Sequence, residues 1–133
     1  MLVRQFRMPI LGNSSTDGML IEACAGVLDD LQPEACIVKE VEEETGFIVT
    51  KVEKVFECYM SPGSVTEILH FFVGEYDHKH RITEGGGLAH EEEEIDVLEI
   101  PFEKALTMMK TGDIRDAKTM LLLQYAALNN IFV

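Results

Sequence analysis

The sequence predicts one domain, residues 1–133, of the α/β class in the broad sense or α+β, with a mixed β-sheet sandwiched between helices. Segments rich in β-branched and aromatic residues come first, and helical patterns are interspersed among them and close the chain. That order is typical of these classes. The length of 133 residues is usual for one domain, and no internal repeat or Pro/Ser-rich linker divides the chain.

The predicted strands are segments in which β-branched and aromatic residues alternate or concentrate. They cover residues 2–8, 20–24, 48–60, 67–76 and 95–100. The third and fourth flank Ser61-Pro62-Gly63-Ser64, whose composition is typical of a turn and predicts a strand–loop–strand unit. The polar, glycine-containing stretches 12–18 and 78–90 are expected to be loops.

Three segments are predicted to be helices. Residues 33–45 have Pro33 at the first helical position and Gly46 just past the end, which are common helix start and stop signals. Residues 101–110 carry an apolar side, and residues 117–129 are apolar around much of their circumference. The last segment is therefore expected to be a closing helix that packs on the rest of the domain.

Composition and charge exclude several classes of function. The formal net charge of −13 argues against binding to a nucleic acid polymer. An acidic protein can still take an anionic substrate when metal cations lie between the two sets of charges. No apolar run approaches the ~20 residues that span a bilayer, and the first residues lack the features of a signal peptide. A cytoplasmic protein without a membrane partner is the expectation.

The three cysteines are widely spaced and odd in number. This pattern argues against a disulfide framework and against a cysteine zinc site. They are interpreted as small hydrophobic residues that contribute to packing.

The predicted helix at 33–45 carries a cluster of carboxylates that is a candidate metal site. On a wheel of 3.6 residues per turn, Glu40, Glu43 and Glu44 fall on one arc beside the apolar arc. Three clustered carboxylates repel each other and destabilise an isolated helix. A hard divalent cation such as Mg²⁺, which prefers oxygen ligands, is one way to offset that repulsion. The alternative is a solvated acidic face, which is common in a protein of this charge.

The segment Lys39-Glu40-Val41-Glu42-Glu43-Glu44-Thr45-Gly46-Phe47 resembles the second half of the Nudix box, Arg-Glu-apolar-x-Glu-Glu-x-Gly-apolar, with Lys in place of Arg. It is preceded by Ala25-Gly26. Two features depart from the box: the interval from Gly26 to Lys39 is one residue shorter, and Leu31-Gln32 stands near the first Glu of the pattern. The chain is thus similar to the Nudix hydrolase superfamily, and the resemblance implies a Nudix fold.

Within the superfamily, the chain resembles the branch that hydrolyses nucleoside diphosphate sugars of the ADP-ribose and GDP-mannose type, and bacterial enzymes acting on GDP-mannose in particular. Pro62 follows Gly46 at a spacing that resembles a marker of that branch. The stretches that carry the resemblance are 3–7, 21–26, 59–63, 85–87, 93–95 and 110–116.

The resemblance implies a metal site that binds Mg²⁺, with Mn²⁺ as a substitute. Glu40, Glu43 and Glu44 on the helix and the carbonyl of Ala25 are the expected ligands. A loop carboxylate completes the site in this branch, and by register with Ile95 that ligand is Glu93. The same register makes Glu91 the catalytic base, with Glu44 beside it in the catalytic set. The run Glu91-Glu92-Glu93-Glu94 also admits other registers, or a solvated loop.

The resemblance also implies a substrate site. Arg7, Glu22, Glu67 and Pro62 match positions of the branch and are the expected substrate-binding residues. Arg7 is suited to bidentate contact with a phosphate, or alternatively forms a surface ion pair. Glu22 either forms a hydrogen bond near the metal site or belongs to a strand pair.

The implied reaction is Mg²⁺-dependent hydrolysis of the pyrophosphate bond, which releases a nucleoside monophosphate and a sugar phosphate. The alternatives are a Nudix nucleoside triphosphate pyrophosphatase and a non-catalytic nucleotide-binding domain. The branch carries an N-terminal sheet exchanged across a homodimer. This sequence starts where that sheet would end, which predicts either a minimal version of the fold or a fragment of a longer gene product. The resemblance implies a homodimer, in a fold that lacks the N-terminal sheet.

Overall fold

The computed structural model describes residues 1–13, 17–91 and 94–132, apart from the side chain of Glu91. Its strands are β1 (Leu2–Phe6), β2 (Met19–Glu22), β3 (Val52–Tyr59), β4 (Ile68–Gly74) and β5 (Ile95–Leu98). Its α-helices are α1 (Met8–Leu11), α2 (Pro33–Thr45), α3 (Phe102–Thr111) and α4 (Ala117–Leu128). Two short 3₁₀ turns lie at His78–His80 and Ala89–Glu91.

The first sheet has three strands in the order β2-β1-β5, and both pairs are antiparallel. Val3 lies opposite Glu22 on one neighbour and opposite Val97 on the other. This register places the end of β2, and the segment that follows it, beside the central strand. β1 is the central strand because it pairs with both β2 and β5, and its first residues, Leu2 and Val3, are buried.

The second sheet is the hairpin β3-β4, with a register shift between Lys54 and Phe56. Its connection contains the predicted turn, in which the amides of Ser64 and Val65 both donate to the carbonyl of Ser61, at 3.0 Å. The strand–loop–strand prediction for this part of the chain agrees with the structure.

The core between the first sheet and the last two helices is apolar. Buried Leu2, Ala105 and Ile114 form its centre, and partly buried residues from β2, β5, α3 and α4 pack around them. The second helix, α2, contacts strands of both sheets, namely β3, β4 and β5. It is therefore held against the sheets along its length.

The expected α+β class is confirmed. The mixed sheet is a correction: all strand pairs between the named strands of the described chain are antiparallel and form two sheets. The helices do not connect neighbouring parallel strands, so no crossover creates a parallel pair. The one-turn helix α1 was not predicted, and it ends the first strand at Phe6 rather than at Met8. Among the described helices, none has the length and apolarity needed to cross a bilayer.

Candidate active site

The carboxylate helix begins and ends where the sequence predicts. Pro33 occupies its first turn, and Gly46 ends it in the left-handed conformation with φ 77°. The amide of Gly46 donates to the carbonyl of Glu42 at 2.9 Å, which satisfies one of the last carbonyls of the helix. The local sequence therefore fixes the position of Glu44 in the last turn of the helix, two residues before its cap.

The segment Gly85-Gly86-Gly87 packs against the end of the carboxylate helix, α2. The amide of Gly86 donates to the carbonyl of Glu44 at 2.8 Å, and the amide of Gly87 donates to the carbonyl of Glu43 at 3.1 Å. A Cβ at Gly85 would overlap the backbone of Glu44 and Thr45. This close approach requires glycine, and it places Gly87, which precedes the acidic run, beside the end of the carboxylate helix.

The segment after β2 runs along the other side of the carboxylates. A Cβ added at Gly26 would overlap the carboxylate of Glu40, so the two residues are in close contact. The thiol of Cys24 is hydrogen-bonded to Glu44, and its pKa is raised by burial and by the charge of that carboxylate. Ala25 lies between these two contacts. The structure thus brings the Ala25 segment together with Glu40 and Glu44.

Glu44 is only 2% exposed. A buried carboxylate needs compensation from charge or hydrogen bonds, and a divalent cation is one source of it. Glu40 and Glu44 are one helical turn apart, and the Ala25 segment supplies a nearby backbone carbonyl. Two carboxylates, a carbonyl and water match the oxygen donors that Mg²⁺ takes. The residues present therefore fit the predicted ion.

The structure, over the residues it describes, does not place the other predicted groups, Glu43, Glu91 and Glu93, at this site. The carboxylate of Glu43 forms an ion pair with Lys39 at 3.1 Å, on the exposed side of the same helix. Glu93 and the side chain of Glu91 lie outside the described residues, so their predicted roles stay predictions. Within the described part of the chain, no three His, Cys, Asp or Glu side chains lie close enough to bind a metal ion on their own.

Glu22 lies in a buried ion-pair network. It is 3% exposed, and its carboxylate accepts from the guanidinium of Arg7 at 2.7 Å and from the ammonium of Lys118 at 2.8 Å. Burial acts to lower the pKa of Lys118, but hydrogen bonds and charges from Asp116 and Glu22 outweigh it, so the pKa is raised. Arg7 and Glu22, which were predicted as substrate contacts, are therefore joined to a cation of α4 that the sequence interpretation missed.

The first turn of α4 fixes this cation. Asp116 caps the helix by accepting from the amide of Thr119 at 2.9 Å, and its other oxygen accepts from Lys118 at 2.7 Å. The signal in the sequence is an Asp three positions before a Thr at the start of an apolar helix. That pattern indicates a cap. It does not indicate that Lys118, which lies between Asp116 and Thr119, contacts Glu22 on the distant strand β2.

A cleft of about 330 Å³ lies between the segment after β2, the start of α2 and the strand β4. Its lining includes Ala25, Gly26, Glu67, His70 and Lys118. The start of the carboxylate helix, the Ala25 segment and the cation of α4 therefore meet at one opening, and Glu40 and Glu44 contact the Ala25 segment without lining the cleft themselves. Glu67 lines it, in agreement with a position near substrate, although its predicted role in binding stays a prediction.

Pro62 lies in the exposed turn of the β3-β4 hairpin. It is not among the described residues that line the cleft. Its contact with substrate therefore stays a prediction, because Pro62 does not line this cleft.

The NUDIX domain family matches residues 1–123, which is nearly the whole chain. The chain belongs to the Nudix family. The Nudix family membership expected from the segment 39–47 is confirmed.

Curated relatives of this Nudix chain are similar over almost all of its length. A GDP-mannose pyrophosphatase of Cronobacter sakazakii is 58% identical over 130 residues, which are 98% of this chain and 67% of the relative. The GDP-mannose pyrophosphatase of Salmonella paratyphi B is 58% identical over 94% of this chain and 64% of the relative. One from an Enterobacter species is 55% identical over 98% and 67%. The chain spans about two thirds of the length of the curated relatives it matches.

Proposed function

We propose that this protein hydrolyses the pyrophosphate bond of a nucleoside diphosphate sugar, of the GDP-mannose or ADP-ribose type, in a Mg²⁺-dependent reaction. The observation that carries the proposal is the contact of Glu40 and Glu44 with the segment around Ala25, which lines a cleft that also presents Lys118. A cation site beside an ammonium suits a substrate with two linked phosphates.

The proposed metal ligands are Glu40, Glu44 and the carbonyl of Ala25, with Glu43 and Glu93 completing the set. When bound, Mg²⁺ supplies positive charge against the diphosphate oxygens and activates water, with Mn²⁺ as a substitute. For Glu43 to join, it would give up its ion pair with Lys39, an exposed pair of small energetic value.

The chain's own residues would orient the substrate and move the proton. Lys118 lies at the cleft and remains charged at neutral pH, so it attracts a phosphate while Glu22 and Asp116 hold its position. Arg7 is partly exposed and pairs with Glu22 through Nε, and its other N–H groups can donate to a phosphate. Glu67 would bind the sugar or ribose hydroxyls as an acceptor, and Glu91 would accept the proton of the attacking water.

The relatives support the choice of substrate class. Proteins that are 55–58% identical over nearly the whole chain are named GDP-mannose pyrophosphatases. We extend that activity to this chain as part of the proposal. Assembly as a homodimer and a cytoplasmic location stay predictions from the sequence, and sedimentation would test the first of them.

The decisive experiment is a substrate panel with GDP-mannose, ADP-ribose and several nucleoside triphosphates, each assayed with Mg²⁺ and with a chelator. The expected result is Mg²⁺-dependent release of a nucleoside monophosphate and a sugar phosphate in equal amounts. Preferred hydrolysis of triphosphates would replace the proposal with a triphosphate pyrophosphatase. Binding of nucleotide sugars without turnover in saturating Mg²⁺ or Mn²⁺ would indicate a non-catalytic domain.

A further inference from the structure

Asp116 divides its two carboxylate oxygens between different partners. Oδ2 accepts from the amide of Thr119 at 2.9 Å and from its hydroxyl at 2.7 Å. Oδ1 accepts from the ammonium of Lys118 at 2.7 Å. The same carboxylate therefore caps α4 and holds the cation that lines the cleft.

Thr119 connects this cap to the predicted metal segment. Its side chain is fully buried, and its hydroxyl accepts from the amide of Ala23 at 2.7 Å while it donates to Asp116. Both hydrogen-bonding functions of the hydroxyl are used, so its orientation is fixed. Ala23 lies two positions before Ala25, at the point where the chain leaves β2.

We propose that Asp116 and Thr119 are positioning residues that fix the Ala25 segment and Lys118 relative to each other. The proposal rests on the proposed function, because this spacing matters only if a metal ion at one group and a phosphate at the other belong to one substrate complex. Substituting residues that orient the ligands of a metal site typically lowers metal affinity or activity by about 10- to 100-fold.

A helix cap alone does not require these contacts. Capping needs only the bond from the amide of Thr119 to Asp116. The bond from Ala23 to the hydroxyl and the bond from Lys118 to Oδ1 are additional, and each leads to one part of the site. Separate substitutions can therefore break each connection while the amide–carboxylate cap is retained.

The first test compares Thr119→Val with Thr119→Ser. Valine keeps the shape and removes the hydroxyl, whereas serine keeps the hydroxyl. Thr107→Val is the matched control, because the hydroxyl of Thr107 donates to the carbonyl of Glu103 on the exposed side of α3, as in any exposed helical turn. Binding of Mn²⁺ to the full chain without substrate is measured by the electron paramagnetic resonance of the free ion, together with KM, kcat and the unfolding midpoint.

We expect Thr119→Val to weaken Mn²⁺ binding about tenfold, with serine restoring it and the control matching the parent. A valine variant that unfolds earlier but binds Mn²⁺ and turns over substrate like the parent, per folded molecule, would reduce Thr119 to a structural role and overturn the inference. If the valine variant does not fold, Thr119→Ala, which also removes the hydroxyl, takes its place in the same comparison with serine.

The second test is Asp116→Asn. Its amide oxygen can still accept from Thr119, but the negative charge that holds Lys118 is removed. We expect KM for GDP-mannose to rise about tenfold with Mn²⁺ affinity unchanged. An unchanged KM overturns this half of the inference.

The two proposals fail in different ways. If the parent chain hydrolyses no nucleotide sugar, the proposed function fails, whereas Mn²⁺ binding by the Thr119 variants still decides whether Thr119 positions the metal segment. If the parent is active and all variants of Thr119 and Asp116 match it, the positioning roles alone are overturned.

Discussion

The carboxylate of Glu40 occupies the space into which a side chain at Gly26 would project. Gly26 does not have a left-handed backbone, so the constraint on this position comes from the close contact rather than from φ. Because Glu40 lies on α2 and Gly26 follows β2, this contact sets how near the Ala25 segment approaches the carboxylate helix. Several expected outcomes depend on that approach.

Gly26→Ala is expected to impair metal binding without unfolding the protein. The added methyl group would displace the end of a flexible side chain, so the free energy of unfolding should change by less than about 1 kcal/mol. The displaced Glu40 should raise the Mg²⁺ concentration for half-maximal activity about tenfold. Gly63→Ala is the control, since nothing lies within 4 Å of its Cβ position. Equal Mg²⁺ dependence in both variants would argue against Glu40 as a ligand.

Glu44→Gln is expected to lower kcat/KM by at least about 100-fold in saturating Mg²⁺, because it removes the negative charge of a proposed metal ligand. Without metal, the same change neutralises a buried carboxylate, so stability should be kept or increased. Glu42→Gln is the matched control on the exposed side of α2. Steady-state kinetics and urea unfolding measure the two effects, and undiminished turnover in the Glu44 variant would contradict the mechanism.

Gly46→Ala is expected to destabilise the protein more than Gly112→Ala. Both glycines end helices with positive φ, 77° and 85°. A Cβ at Gly46 would also overlap the carbonyl of Thr83, whereas nothing lies near the Cβ position of Gly112. We expect a loss of about 1 kcal/mol at Gly112 from backbone strain alone, and more than about 2 kcal/mol at Gly46. Chemical denaturation compares them, and equal losses would show that the Thr83 contact is unimportant.

Lys118→Met is expected to lower stability at neutral pH and to have less effect at high pH. The pKa of Lys118 is raised in the folded protein. Because this pKa is raised, the charge of Lys118 contributes fully to the free energy of unfolding below the unfolded-state pKa of about 10.4. That contribution is lost as pH rises through the pKa of the folded state. Unfolding free energies of parent and variant should therefore differ by a constant amount from pH 6 to about 9 and converge above about 10.4. A difference that shrinks as the pH falls from about 9 to 6 would have the wrong sign.

Most of the local structure follows from the sequence. The helix Pro33–Thr45 has the predicted bounds because Pro33 fixes φ at its start and Gly46 tolerates the left-handed conformation at its end. The hairpin β3-β4 follows from alternating strands on either side of a turn. Strand ends and the helix α1 were not predicted, since only contacts with the rest of the fold decide where β1 stops pairing.

The tertiary structure decided which side chains meet. Periodicity placed three carboxylates on one arc of α2, but packing set Glu40 and Glu44 beside the Ala25 segment and left Glu43 paired with Lys39. The network that joins Glu22 to Lys118 connects residues 96 positions apart. Helix periods and turn residues act over a few positions, so the sequence by itself determined the elements and the family pattern. Contacts between distant segments depend on how whole elements pack, and only the folded chain placed the cation of α4 at the cleft.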